Sequence, residues 1–204
     1  MVITPDTWTR GEVRISGAPL WAEIVQVFRN LRPEDRREIA ALHGHVPAEA
    51  AAETVLAHQE RAMVLRGGAP VAVMFSHPIH PGMWGGGLVS TLQWPLVVGP
   101  VTRWIRDIWL PRWAGLSGAR RMQMMALADH SAVAWMTRLL HGRLEGTLRG
   151  MGRGGEDMVV VAWSAEDVQL GSGRRHRDAV RGARERGGAR RQAEDAGQPE
   201  CLAG

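Results

Sequence analysis

The sequence predicts a single α/β domain, a mixed central sheet flanked by helices, followed by a disordered arginine-rich C-terminal tail. Three observations carry that expectation. Short apolar runs alternate with helix-length amphipathic segments between residues 24 and 163, the element pattern of an α/β fold. Hydrophobic residues make up 45% of the 204-residue chain and charged residues 23%, enough apolar material for one packed core. From Gly171 onward the composition turns to Gly, Arg, Ala and acid with almost no large apolar side chain. Such a segment cannot bury enough surface to offset its ordering entropy. The folded domain is therefore placed at 1–170 and the tail at 171–204.

The elements follow in order. Ile24 to Phe28 alternates and reads as a first strand after a short N-terminal lead. Arg32 to Leu42 carries a proline and two acids in its first turn and His43-Gly44 after its end, the polarity of a helix. Pro47 to Gln59 is alanine-rich and starts a second helix the same way. Ala62 to Leu65 and Pro70 to Phe75 flank Arg66-Gly67-Gly68-Ala69, a hairpin signal. Gly82 to Gly87 reads as a glycine-rich turn and Leu88 to Val98 as a strand. Gly99-Pro100 opens a helix with Val101, Trp104, Ile105, Ile108 and Trp109 on one face, which Pro111 kinks or ends. Met122 to Leu127 is a strand covered on both faces, and Ser131 to Leu140 a short amphipathic helix. Leu144 to Leu148 and Met158 to Trp163 are the last two strands.

Charge excludes the simplest nucleic-acid reading. All 25 basic residues are arginine and the net charge is +4. The tail holds eight arginines against five acids, while residues 1–170 hold seventeen against sixteen. The folded part is nearly neutral, so nucleic acid is a partner only through the tail, whose interspersed acids weaken phosphate binding. No apolar run reaches the length of a membrane span, and Asp6, Arg10, Glu12 and Arg14 interrupt the N-terminus, so neither a transmembrane helix nor a signal peptide is expected. The single cysteine, Cys201, forms no internal disulfide and no cysteine-rich zinc site, which points to a reducing compartment such as the cytoplasm.

Motifs beyond the element order carry a resemblance. Asp129, Ala132, Trp135, Leu139 and Gly142 are followed by Glu145-Gly146-x-x-Arg149 and Asp157 before the last strand. This pattern resembles the GNAT superfamily of acyl-CoA-dependent N-acetyltransferases, in particular the ribosomal-protein type, with Asp129 where those have Asn. Arg32-x-x-Asp35-x-x-Glu38-Ile39, Pro47-x-x-Ala50, the hairpin residues Gly68, Pro70, Val71 and Ala72, and the pair Trp135-Met136 resemble GNAT-like proteins of tailed bacteriophages, some of them internal virion proteins. The likeness spans roughly Val25 to Trp163.

The resemblance implies transfer of an acyl group from acetyl-CoA to an amine, the amine attacking the thioester directly. Such an enzyme needs a splayed strand pair for the pantetheine arm, backbone N–H groups at a helix start for the pyrophosphate, and groups that move protons. On this resemblance the cofactor-binding residues are Gln93, Val98, Gly99, Val101, Thr102, Arg103 and Asp129, with the phosphate loop at Leu96 to Val101. The chain departs from the family there: one glycine fits, the leading polar residue is missing, and Pro100 removes a donor. The family's catalytic tyrosine is replaced by Met136, and the chain has no tyrosine at all. Glu145, His130 and His141 are the substitute catalytic candidates, with His77 and His80 as further bases. The rival expectation is a phage-encoded structural or accessory protein that keeps the fold without turnover, in the virion interior and partnered by virion proteins.

Other constellations are weaker. His77-Pro-Ile-His80 has ligand-like spacing but lacks the third and fourth ligands of a zinc site, so no metal is expected. Gly82 to Gly87 lacks the lysine and hydroxyl residue of a P-loop. Among nine tryptophans, Trp104, Trp109 and Trp135 have core spacing, while Trp84 and Trp94 are the cleft candidates.

Overall fold

The structure, a computed structural model, describes residues 7–171. The tail from 172 and its expected disorder lie outside the described residues, as do residues 1–6. Strands β1 (Thr7–Arg10) and β2 (Val13–Ser16) form an N-terminal hairpin turning at Gly11, followed by helices α1 (Trp21–Arg29), α2 (Pro33–His43) and α3 (Ala48–Ala57). Strands β3 (Glu60–Arg66), β4 (Ala69–His80) and β5 (Met83–Ser90) form an antiparallel meander. Then come α4 (Trp94–Trp104), a π-helical turn (Ile105–Trp109), α5 (Leu110–Ala114), β6 (Arg121–Leu127), α6 (Ser131–Arg138), β7 (Arg143–Leu148) and β8 (Met158–Ser164). Residues 165–171 are helical.

The eight strands make one mixed sheet in the order β1-β2-β3-β4-β5-β6-β8-β7. Among the described residues its only parallel pair is β5 with β6, and this pair is short: Met83 to Gly85 face Arg121 to Gln123. Beyond those three rungs the two strands run on separately to Ser90 and Leu127. A V-shaped gap therefore opens at their C-terminal halves. One core, with Ile24, Val27, Val55, Met63 and Val73, packs α1 and α3 on one face; a larger one, with Trp104, Trp113, Met122 and Val161, packs α4 to α6 on the other.

The later elements agree with the sequence reading, and three earlier ones are corrected. Ile24 to Phe28 is helix, not strand. Ile24, Val27, Phe28 and Leu31 recur at helical spacing over a longer window than five residues, and Glu23 accepts the Leu20 N–H at the helix start. The first strands lie instead in the N-terminal lead, where alternating Val13 and Ile15 point inward.

Gly85 to Gly87 lie within β5 rather than in a turn. They are small because neighbouring side chains cover them: a Cβ on Gly87 would sit 2.6 Å from the Phe75 ring and one on Gly85 3.0 Å from Ile79. The expected strand Leu88 to Val98 ends at Ser90, and the helix starts at Trp94, so Gly99 and Pro100 are inside α4. Pro111 is preceded by the π turn, which widens the helix where a proline cannot donate its N–H.

Two substitutions test this packing by chemical denaturation. Gly87→Ala overpacks against the Phe75 ring and is expected to cost ~1–3 kcal/mol. Pro100→Ala restores a donor toward the Leu96 carbonyl inside α4 and is expected to stabilise by ~1–3 kcal/mol.

Candidate functional site

The V-shaped gap is the feature from which the site is built, and α2 is the element that fills it from one side. Arg32 at the N-cap, Asp35 and Glu38 recur every three residues, which puts them along one helix face. Asp35 is buried, 3% exposed. Its Oδ2 accepts from the Ser90 N–H at 2.7 Å and from the Ser90 hydroxyl at 2.8 Å, at the end of β5. Its Oδ1 accepts from Arg32 Nε at 2.8 Å and from His130 Nε2 at 2.9 Å. Glu38 Oε2 accepts from the Leu127 N–H at 3.0 Å, at the end of β6. Two carboxylates of one helix thus bind the two diverging strands.

His130 is the N-cap of α6. Its Nδ1 accepts from the Ala132 N–H at 2.9 Å, so the ring proton on Nε2 is the one donated to Asp35. Glu34 extends the cluster, pairing with Arg32 at 3.3 Å and accepting from the Ser131 hydroxyl at 3.0 Å. Burial pushes the Asp35 carboxyl up, but the His130 hydrogen bond, the Arg32 charge and the two Ser90 bonds outweigh it and hold its pKa below the ordinary value. Glu38 goes the other way: burial and the neighbouring Asp35 carboxylate raise it, and the single Leu127 bond and the Arg32 guanidinium do not compensate.

The opposite side of the gap is filled by tryptophans. Trp94 and Trp135 meet edge to face, with ring centroids 5.4 Å apart. The Trp135 indole N–H donates to Thr102 Oγ1 at 2.8 Å, and that hydroxyl donates to the Val98 carbonyl at 2.6 Å. Helices α4 and α6 are stitched together by these contacts. Two small cavities border the gap, about 20 and 30 Å³, each with room for about one water molecule.

The start of α4 presents no row of convergent donors. The N–H groups of Thr91, Gln93, Trp94 and Leu96 are bonded to Val71 O, Thr91 Oγ1, Thr91 O and Gln93 O, and Pro95 has none. Gln93 is the N-cap of this helix. Val98, Gly99, Val101, Thr102 and Arg103 lie within it, Val101 and Thr102 buried, Gly99 and Arg103 exposed. The expected phosphate loop at 96–101 is a helical turn. Asp129 is exposed and paired with Arg37.

Of the catalytic candidates, His130 belongs to the α2 cluster, while His141 and Glu145 line a separate groove. Glu145 bonds to Arg121 at 2.6 Å, which lowers its pKa. Trp104, Trp109 and Trp135 are core residues as expected; Trp84 and Trp94 are buried too, Trp94 closing the gap rather than lining an open cleft. His77 packs against His58 with ring centroids 4.7 Å apart. Among the described residues no three metal-ligating side chains cluster, and no helix is long and apolar enough to cross a membrane. The sequence reading named Arg32, Asp35 and Glu38 only as a motif, although their three-residue spacing already placed them on one face.

No protein-family profile matches the sequence, and no curated protein matches it. Solved structures do match. A protein described as an acetyltransferase superposes with a TM-score of 0.63 at 17% identity, over 86% of this chain and 99% of the other. A GNAT-family acetyltransferase from Bacillus anthracis gives 0.57 at 10% identity, over 78% and 99%. The ribosomal-protein-S5-alanine acetyltransferase of Vibrio fischeri gives 0.55 at 10% identity, over 79% and 97%. The chain has the GNAT acetyltransferase fold.

The α2 cluster makes a pH-dependent contribution. Because the folded Asp35 pKa lies below its unfolded value of about 3.9, its stabilisation is complete above that value. It is lost as pH falls through the folded one. Asp35→Asn is expected to cost roughly 3 kcal/mol at neutral pH, since it unpairs Arg32 and His130. Urea titrations from pH 7 down to 3 should show the variant losing less stability with acid than the wild type. Glu38→Gln, which keeps an acceptor for Leu127 and removes a charge penalised by burial, should cost less than Asp35→Asn.

Proposed function

We propose that this chain uses the acetyltransferase fold as a non-catalytic scaffold, a structural or accessory protein that takes no acyl-CoA between its splayed strands. One observation carries the reading: Ser90 and Leu127, on the strand edges that a pantetheine arm would have to approach, already bond to Asp35 and Glu38. Acetyl-CoA does not fit the residues present. The cavities bordering the gap are small, and the face between α4 and α6 is occupied by the Trp94, Trp135 and Thr102 contacts. A pyrophosphate at the start of α4 would find the Gln93, Trp94 and Leu96 N–H groups already bonded within the chain and the nearby Arg32 already paired with Asp35. Met136 stands buried where the family's proton donor would be. The phage-type resemblance implies the same kind of role, a retained fold without turnover.

The acyltransferase reading keeps one observation in its favour, the splay itself, with β5 and β6 paired over three rungs and then diverging. Calorimetric and thermal-shift titration with acetyl-CoA separates the two. The scaffold reading expects neither saturable heat nor a raised melting midpoint at millimolar acetyl-CoA. Micromolar binding that is lost in Leu92→Glu, an exposed position just before α4, would overturn it and restore acetyl transfer to an amine as the function.

A further inference from the structure

His77 and His80 have ligand-like spacing along the chain, yet the imidazole that meets His77 in the fold is His58, from a different element. His58 is the C-cap of α3, and His77 lies on the outer half of β4. We propose that these two histidines chelate one divalent transition-metal ion of the kind imidazole prefers, such as zinc, through one ring nitrogen each.

His58 is anchored at three of its atoms. Its backbone N–H donates to the Val55 carbonyl at 3.1 Å, its carbonyl accepts from Arg61 at 2.8 Å, and its Nδ1 lies 2.6 Å from the Thr54 carbonyl. A carbonyl only accepts, so Nδ1 carries the ring proton and Nε2 keeps its lone pair. Metal-ligating histidines are held in this way: the bond made by the far nitrogen fixes the tautomer and orients the ring. The ring is also braced by Phe75, with centroids 4.7 Å apart. His77 stands two residues beyond Phe75 on β4, which puts both side chains on the same face of the sheet. The His77 ring is exposed, and neither of its nitrogens has a hydrogen-bond partner among the described residues.

The separation of the rings fits one shared ion. Two imidazoles on one ion, at a metal–nitrogen distance of about 2.0–2.1 Å and a right to tetrahedral angle, have ring centroids about 4.5–5 Å apart. The His58 and His77 centroids are 4.7 Å apart, with the ring planes at 77°. With His58 anchored, a turn of the exposed His77 ring about its own side-chain bonds directs a nitrogen to the ion. Burial and the His58 charge lower the His77 pKa, which keeps the ring in the neutral form that ligation requires. No carboxylate and no third histidine joins the pair among the described residues. The oxygen-seeking magnesium and calcium ions therefore find no ligand here, and water takes the remaining positions around an imidazole-binding ion. Two protein ligands make an exchangeable site rather than a structural zinc on which folding depends. The inference is independent of the acetyl-CoA question, because neither histidine belongs to the α2 cluster or lines the cavities bordering the gap.

The test is titration of the full chain with zinc chloride, followed through the ring signals of its histidines by NMR, with magnesium chloride as the control ion. A site-resolved readout is needed because Cys201 and the other histidines also have affinity for zinc. The expected result is that the His58 and His77 ring signals shift together and saturate with zinc, and that neither moves with magnesium. His77→Gln should weaken the zinc response of His58 at least about tenfold, whereas His80→Gln should leave it unchanged. His77 is at the surface, so the metal-free melting midpoint of His77→Gln should match the wild type. The proposal is overturned if neither ring responds to millimolar zinc, or if the His58 response survives in His77→Gln. It is also overturned if His80→Gln weakens binding as much as His77→Gln, which would place the ion between His77 and His80.

Discussion

One carboxylate organises the centre of this molecule. Asp35 accepts four hydrogen bonds, from Ser90 twice, Arg32 and His130, and thereby joins the end of β5, the start of α2 and the cap of α6. A parallel strand pair that separates after three rungs leaves backbone donors without strand partners, and buried donors without partners are costly. In this chain α2 supplies the missing acceptors. Asp35 serves β5 and Glu38 serves β6, so the break in the sheet is repaired by side chains rather than by main chain. A buried ionised carboxylate is itself expensive unless charge and donors surround it, and Arg32 and His130 are what make this one tolerable.

That repair shapes everything around it. With the strand edges occupied from the α2 side, the other side of the gap is free to pack like a core, and Trp94 and Trp135 do so, tied to α4 through Thr102. The result is a fold shared with acetyltransferases whose central gap is bridged on one side by α2 and packed on the other by tryptophans. A separate, larger groove lies at the far end of β8, between the π-helical turn and the exposed edge strand β7.

The fold was largely legible in the residues. Proline and acids at the start of α2, glycines at the β3–β4 turn, and the helical spacing of Trp104, Ile105, Ile108 and Trp109 each state a local preference that the structure honours. The errors have local causes too. Ile24 to Phe28 is too short a window to separate a period of two from one of 3.6. Gly85 to Gly87 mimic a turn because the sequence does not reveal that Phe75 and Ile79 lie over them.

The sequence by itself determined the α/β class, the order of elements from α2 onward, and the absence of a tyrosine at the position where the resembled family carries its acid. These are properties of composition and of spacing along the chain. Tertiary structure alone decided the state of the gap and the place of the groove. Asp35 and Ser90 are 55 residues apart, and Glu38 and Leu127 89 apart. Whether a carboxylate meets a backbone donor, another side chain or an open cavity depends on which distant strand the sheet brings beside it, and short-range patterns do not carry that information.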